Sequence, residues 1–194
     1  MTPASTQSWP RVQEMVVRAT EIEGLMVIRM RQVEDERGTV REFYRESSWL
    51  SAGLPSLGPW LQVNLTETRR GAVRGLHAES MHKLVAIASG QAFGAYLDLR
   101  AGSPTRGNVE QLRLAPGTQV LVPQGVANGF QSLSAGGSQY LYCFDHEWVA
   151  GMAGVAISPL TAGIQWPLAI DADDRSQVSA KDQAAPPLTE LPPN

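Results

Sequence analysis

Gln62-Val63-Asn64-Leu65 alternates polar and apolar side chains one by one, and that alternation decides the fold class. In an extended chain successive side chains point to opposite faces, so both amides share one face and both aliphatic chains the other. The same pattern continues outward. Ala95-Tyr96-Leu97-Asp98-Leu99, residues 109–114 and residues 119–122 are further short strand candidates. Tyr140, Tyr142 and Phe144 fall at period two, as an aromatic stripe on one face of another strand. Ser103-Pro104, Ala115-Pro116-Gly117 and Ala135-Gly136-Gly137 place turns between these runs, at spacings that suit a sandwich or barrel. Helical signal is confined to residues 47–54 and to part of the first 20 residues. The expected architecture is mostly β: an N-terminal arm over residues 1–24, one domain over 25–183, and an irregular tail over 184–194, where four prolines cluster.

Composition narrows the function. At 194 residues one domain is expected, with 43% hydrophobic and 18% charged residues arguing against wholesale disorder. A net charge of -3 offers no basic footprint for nucleic acid. The single cysteine, Cys143, excludes an intrachain disulfide and disfavours a structural zinc site. No run approaches the roughly 20 apolar residues that span a bilayer. The start lacks the basic and apolar regions of a secretory signal, so a cytoplasmic location is expected.

Chemistry concentrates in Arg74-Gly75-Leu76-His77 and the following Lys83-Leu84-Val85. An arginine, an imidazole and an amine in one short, largely apolar stretch suit an anionic substrate whose reaction needs a base. A lone histidine at a strand end is more often structural. The lysine shifts the balance, because only Lys83 and Lys181 are lysines, against 14 arginines. Metal chemistry is not expected: the histidines are His77, His82 and His146, and no His-x-His pair exists.

These pieces, with others in a fixed order, resemble the dTDP-4-dehydrorhamnose 3,5-epimerase (RmlC-type) family. The matching segments are Asp35-Glu36-Arg37-Gly38 with Glu42, Gln62-Val63-Asn64, Arg74 to His77, Lys83-Leu84-Val85, Leu97-Asp98-Leu99-Arg100 and Ser103-Pro104-Thr105-Arg106-Gly107. Then come residues 122–130, Tyr142, Gly163-Ile164-Gln165-Trp166-Pro167 and Ser179-Ala180-Lys181-Asp182. The resemblance implies a cupin-type jelly roll, a homodimer with exchanged N-terminal strands, and a dTDP-linked 4-keto-6-deoxyhexose as substrate, with no cofactor. It implies His77 as catalytic base, Lys83 beside the enolate oxygen, and Tyr142 returning a proton from the opposite face. Arg37, Glu42, Gln62, Asn64, Arg74 and Asn128 fall at substrate-binding positions, and Trp148 where an aromatic ring stacks on the base. Read from the residues alone, Tyr140 and Tyr142 could equally be core aromatics, and the two amides could face a solvated groove.

The chain departs from the family pattern in its second half. Asn128 replaces a histidine, residues 149–157 contain no carboxylate, and Ser158 aligns with the aspartate that supports the catalytic histidine. A serine carries no charge to stabilise an imidazolium. Three consequences stay open: a weaker His77, rescue by Asp145 or Glu147, or an altered reaction. Epimerisation at C3, C5 or both is the leading expectation. A keto-isomerase and a catalytically silent sugar-nucleotide binder are the alternatives.

Overall fold

Alternating runs became edge strands and continuous apolar runs became central strands of two antiparallel sheets that face each other. The structure, a computed structural model, describes residues 10–160 and 163–190. The N-terminal third forms β1 (Arg11–Gln13), β2 (Val16–Ala19), β3 (Met26–Arg29), β4 (Arg31–Asp35), β5 (Gly38–Glu42) and α1 (Glu46–Ser51). The middle forms β6 (Gln62–Thr68), β7 (Val73–Glu79), β8 (Lys83–Ser89), β9 (Ala92–Asp98) and β10 (Val109–Leu114). After these come β11 (Thr118–Val122), β12 (Val126–Ser132), β13 (Ser138–Phe144), β14 (Gly154–Ala156), α2 (Ala180–Gln183) and a 3-10 turn at Leu188–Glu190. One sheet has the order β10-β9-β12-β7-β14, the other β2-β3-β11-β8-β13-β6, and β1-β4-β5 makes a separate small sheet. This is the mostly β, double-sheet arrangement expected of a jelly roll.

Between the two sheets lies a hydrophobic core that includes Ile22, Leu25, Val85, Ile87, Tyr96, Leu114, Phe130 and Tyr140. Both outer faces are covered in part. Trp49, Leu54 and Leu57 pack on Leu84, Leu121 and Cys143 of the six-stranded sheet. Ile157, Ile164, Trp166 and Leu188 close over Leu76, Ala95 and Leu97 of the five-stranded one. Covering both faces is why Lys83 through Ile87 reads as an unbroken buried run rather than an alternating one.

Three sequence expectations change in the structure. Residues 10–19 carry no helix: they hold β1 and β2, and β2 pairs with β3 from Val16↔Arg29 to Ala19↔Met26. The rest of that expected helix, residues 1–9, lies outside the described residues. The helix expected over 47–54 begins one residue earlier and ends at Ser51, where Gly53 takes φ 76° and its amide bonds to the Leu50 carbonyl. The tail is partly regular, with a 3-10 turn at Leu188–Glu190 and the Pro186 carbonyl accepting from the Ser158 amide at 3.0 Å. Residues 191–194 fall outside the description. Among the described residues no helix is long and apolar enough to cross a membrane.

The Leu97-Asp98-Leu99-Arg100 and Ser103 to Gly107 segments prove to be one structural unit. Fully buried Asp98 accepts from the Arg100 guanidinium (2.7 and 2.9 Å), the Arg100 amide (3.0 Å) and the Ser103 and Thr105 hydroxyls (both 2.6 Å). Burial pushes its carboxyl up, but these bonds together outweigh that and hold it well below the usual carboxylate range. Asp98→Ala, which strips the turn of every one of these acceptors, should cost about 3 kcal/mol in a urea-unfolding measurement. Because the folded state depresses this carboxyl, its contribution is complete above the unfolded value of about 3.9 and fades as pH falls further. The stability gap between wild type and Asp98→Ala should therefore narrow below about pH 4.

Candidate active site

At one end the space between the sheets opens into a pocket of about 490 Å³. Strand β6 contributes Gln62, Asn64 and Thr66, β7 contributes Arg74, His77 and Glu79, and β13 contributes Tyr142 and Phe144. Trp148 and the segment carrying Arg175, Gln177, Lys181 and Asp182 complete the wall. The amides of β6 do share one face, and Gln62 Nε2 donates to Asn64 Oδ1 at 3.1 Å. That face lines the pocket, while Val63 (54% exposed) and Leu65 (58%) point the other way. Polarity is inverted here because this end of the interior is a polar pocket rather than core.

His77 and Tyr142 stand on opposite sheets. His77 lies on β7 of the five-stranded sheet and Tyr142 on β13 of the six-stranded one, and both line the pocket. Strand β7 is pressed against β12, with Asn128 opposite His77 and an irregular register just beyond. Only glycine fits at position 75: its φ is 109°, and a Cβ there would lie 2.6 Å from the Asn128 carbonyl oxygen. Tyr140 is the core aromatic, fully buried and stacked on Phe130 at 4.0 Å between ring centroids. Tyr142, two residues along the same face, reaches the pocket and stacks on Phe144 at 5.8 Å. Burial raises its phenol, against the pull of Arg74, so the hydroxyl keeps its proton at neutral pH.

The carboxylate at the histidine is Asp182, which the sequence reading did not single out. His77 Nε2 donates to Asp182 Oδ1 at 2.6 Å, across 105 residues of sequence. An ionised carboxylate only accepts, so Nε2 carries the hydrogen and Nδ1 is left with the lone pair. Burial pushes the Asp182 carboxyl up, but bonds from His77 and Ser179 and the neighbouring imidazole outweigh it and hold it below its ordinary value. This corrects the expectation that Ser158 had emptied the position. Ser158, two residues past the end of β14, is buried, and Asp145 bonds His82 and His146 instead, each at 2.9 Å. The local signal for Asp182 was Ser179-Ala180-Lys181-Asp182: Ser179 caps α2 and accepts from the Asp182 amide at 3.0 Å.

Lys83, 3% exposed, lines a small chamber of about 60 Å³ that shares Arg74, His77, Glu79 and Tyr142 with the pocket. Its ammonium donates to the His77 carbonyl (3.2 Å), to Asn128 Oδ1 (2.7 Å) and to the Glu79 carboxylate. The Asn128 contact bridges the two sheets, since Lys83 is on β8 and Asn128 on β12. Higher on the wall, Arg74 donates from Nε to Thr68 Oγ1 at 2.9 Å and from Nη2 to the Glu67 carbonyl at 3.3 Å, and it lines the pocket together with Arg175 and Lys181. The Trp148 amide donates to Gln62 Oε1 at 2.7 Å, which fixes the tryptophan at the pocket rim.

Two expected site residues are elsewhere in this chain. Arg37 projects from the β4–β5 turn, paired with Asp35 at 2.6 Å and 89% exposed in its side chain. Glu42, at the end of β5, is bonded to Arg45. Neither lines the pocket. Among the described residues no group of three histidine, cysteine or acidic side chains is placed to hold a metal ion.

Comparisons with known proteins bear on this geometry. The family model for dTDP-4-dehydrorhamnose 3,5-epimerase matches residues 19–190. A protein described as an RmlC homolog from Streptococcus pyogenes serotype M6 is 34% identical over 181 residues, covering 89% of each chain. The crystal structure of NovW, a 4-keto-6-deoxy sugar epimerase from the novobiocin cluster of Streptomyces spheroides, superposes with a TM-score of 0.82 at 29% identity. That match covers 95% of this chain and 93% of NovW. RmlC from Streptococcus suis, solved in complex with dTDP-D-xylose, gives a TM-score of 0.81 at 28% identity over 94% and 95% of the two chains.

Proposed function

Because the chain belongs to the dTDP-4-dehydrorhamnose 3,5-epimerase family, we propose that it is an isomerase inverting C3, C5 or both on a dTDP-4-keto-6-deoxyhexose during deoxysugar synthesis. The C4 ketone acidifies the hydrogens on both neighbouring carbons, so inversion needs a base on one face, an acid on the other and a cation at the enolate oxygen. The observation that carries this reading is His77, bonded to Asp182, across the gap between sheets from Tyr142, with Lys83 in the chamber that both of them line. His77 Nδ1 takes the proton, Asp182 stabilises the resulting imidazolium, the Lys83 ammonium holds the enolate, and the Tyr142 phenol delivers a proton from the other side.

Arg74, with Arg175 and Lys181, supplies cations for the pyrophosphate. Gln62 and Asn64 offer donors and acceptors to the nucleotide, and Trp148 offers a stacking face to the thymine. Asn128 acts one layer down, through Lys83. The protein works as a cytoplasmic homodimer whose N-terminal strands are exchanged. Strand β6 is a sheet edge with Val63 and Leu65 exposed, and Leu61 exposed just before it, the kind of edge a strand from a second copy covers. Exchange would also bring Arg37 and Glu42 of a second copy toward the nucleotide. A catalytically silent binder draws its support from Ser158 and Asn128; the Asp182 carboxylate at His77 weakens the first of these arguments.

The test is proton exchange. Purified protein in heavy water with the dTDP-linked 4-keto-6-deoxyglucose should place deuterium at C3, C5 or both, with the carbons assigned by NMR. Intact substrate binding without exchange at either carbon overturns the proposal.

A further inference from the structure

Glu79 is the one carboxylate of the β7 wall, and the reaction as proposed leaves it without a part. Two residues beyond His77 on the same strand, it shares the histidine's face and lines the same pocket. Its carboxylate pairs with Lys83, whose side chain is 4% exposed against 20% for Glu79. We infer that Glu79 is a positioning residue for the reaction: it is the counter-ion that keeps the buried Lys83 charged and aimed at the substrate's keto oxygen. This rests on the epimerase reading for its consequence, though not for its direct test.

An ammonium taken out of water without a counter-ion gives up its proton rather than stay charged. The other two acceptors of Lys83, the His77 carbonyl and Asn128 Oδ1, are neutral dipoles and supply no net charge. The ionisable groups lining the chamber around it are Arg74, His77 and Glu79 from β7 and Tyr142 from β13, and Asp182 of α2 stands behind His77. Arg74 repels an ammonium, Tyr142 is neutral, and Asp182 is bonded to His77. Glu79 is therefore the group that opposes the burial of Lys83, whose amine is lowered by desolvation and raised again by this carboxylate. These three acceptors engage all three ammonium hydrogens. A keto oxygen must thus take the place of one acceptor, and Glu79, whose side chain is 20% exposed and lines the pocket while Asn128 is buried, is the acceptor it would displace.

The chain offers a direct readout, because Lys83 and Lys181 are its only lysines. Protein grown with 13C,15N-lysine gives two side-chain signals, and exposed Lys181 serves as internal reference. Glu79→Gln should lower the titration midpoint of Lys83 by about one to three pH units while Lys181 stays put. Glu79→Asp, which keeps the charge, should restore most of the shift, and it is the variant to compare if the glutamine form folds poorly. In the deuterium-exchange assay Glu79→Gln should lose activity at lower pH on the alkaline side, with substrate affinity little changed. An unmoved Lys83 midpoint in folded Glu79→Gln, or equal midpoints in the Asp and Gln forms, overturns the inference. A moved midpoint in a protein that exchanges no substrate proton sustains the counter-ion role and overturns only the epimerase reading.

Discussion

Asp182→Asn should cut turnover roughly 100-fold or more, and His77→Ala roughly 10²- to 10⁴-fold, with dTDP-sugar affinity nearly unchanged in both. The two losses have one origin. His77 can accept a carbon-bound proton only if the imidazolium that forms is stabilised, and Asp182 is the charge bonded to it, at 2.6 Å. An asparagine in that place can still bond the ring, but it adds no charge, and its amide can favour the wrong tautomer. The double variant should be no slower than His77→Ala alone, since the carboxylate acts only through the ring. Asp145→Asn is the contrasting case. Its carboxylate bonds His82 and His146, so turnover should barely move. Single-turnover rates and dTDP-sugar affinity measured on the four proteins decide the matter. Additive losses from residues 77 and 182, or a large loss from residue 145, would reassign the base.

How far this site could be read without coordinates depended on whether its signals were local. Strand β10 coincides with the stretch foreseen, and β6, β9, β11 and β13 overlap theirs, because period-two alternation is a property of a few neighbouring residues. Tyr140 and Tyr142 carry the same local signal, and sequence could not divide them. Their difference is depth along one strand, where Tyr140 meets Phe130 in the core and Tyr142 emerges at the pocket. Asp182 was hidden by distance: its capping-box signature spoke only of a helix start, and its pairing with His77 spans the whole fold. The N-terminal arm misled for a related reason. Its short strands draw their pairing from β3 and β4, so propensity over so few residues carried little weight. Arg37 and Glu42 are still further from local reading, since a single chain leaves them away from the pocket.

Tyr142→Phe should separate two events that are fused in the normal reaction. The phenylalanine keeps the packing against Tyr140 and Phe144, so the pocket holds its shape and the fold its stability to within about 1 kcal/mol. What disappears is the acid proposed for the face opposite His77. The wild-type phenol is raised by burial, hence protonated and ready to give a proton at neutral pH. Without it, the enolate made by His77 still forms, held by Lys83, and is reprotonated by the imidazolium on the face from which the proton came. Substrate should then gain solvent deuterium while keeping its configuration, and inverted product should fall roughly 10²- to 10⁴-fold. His77→Ala should abolish both exchange and inversion, because no enolate forms. NMR of the recovered sugar in heavy water distinguishes retained from inverted deuterated species. Inverted product appearing at the normal rate from Tyr142→Phe would place the second proton donor elsewhere on that wall, and loss of exchange together with inversion would make the tyrosine part of the first step rather than the second.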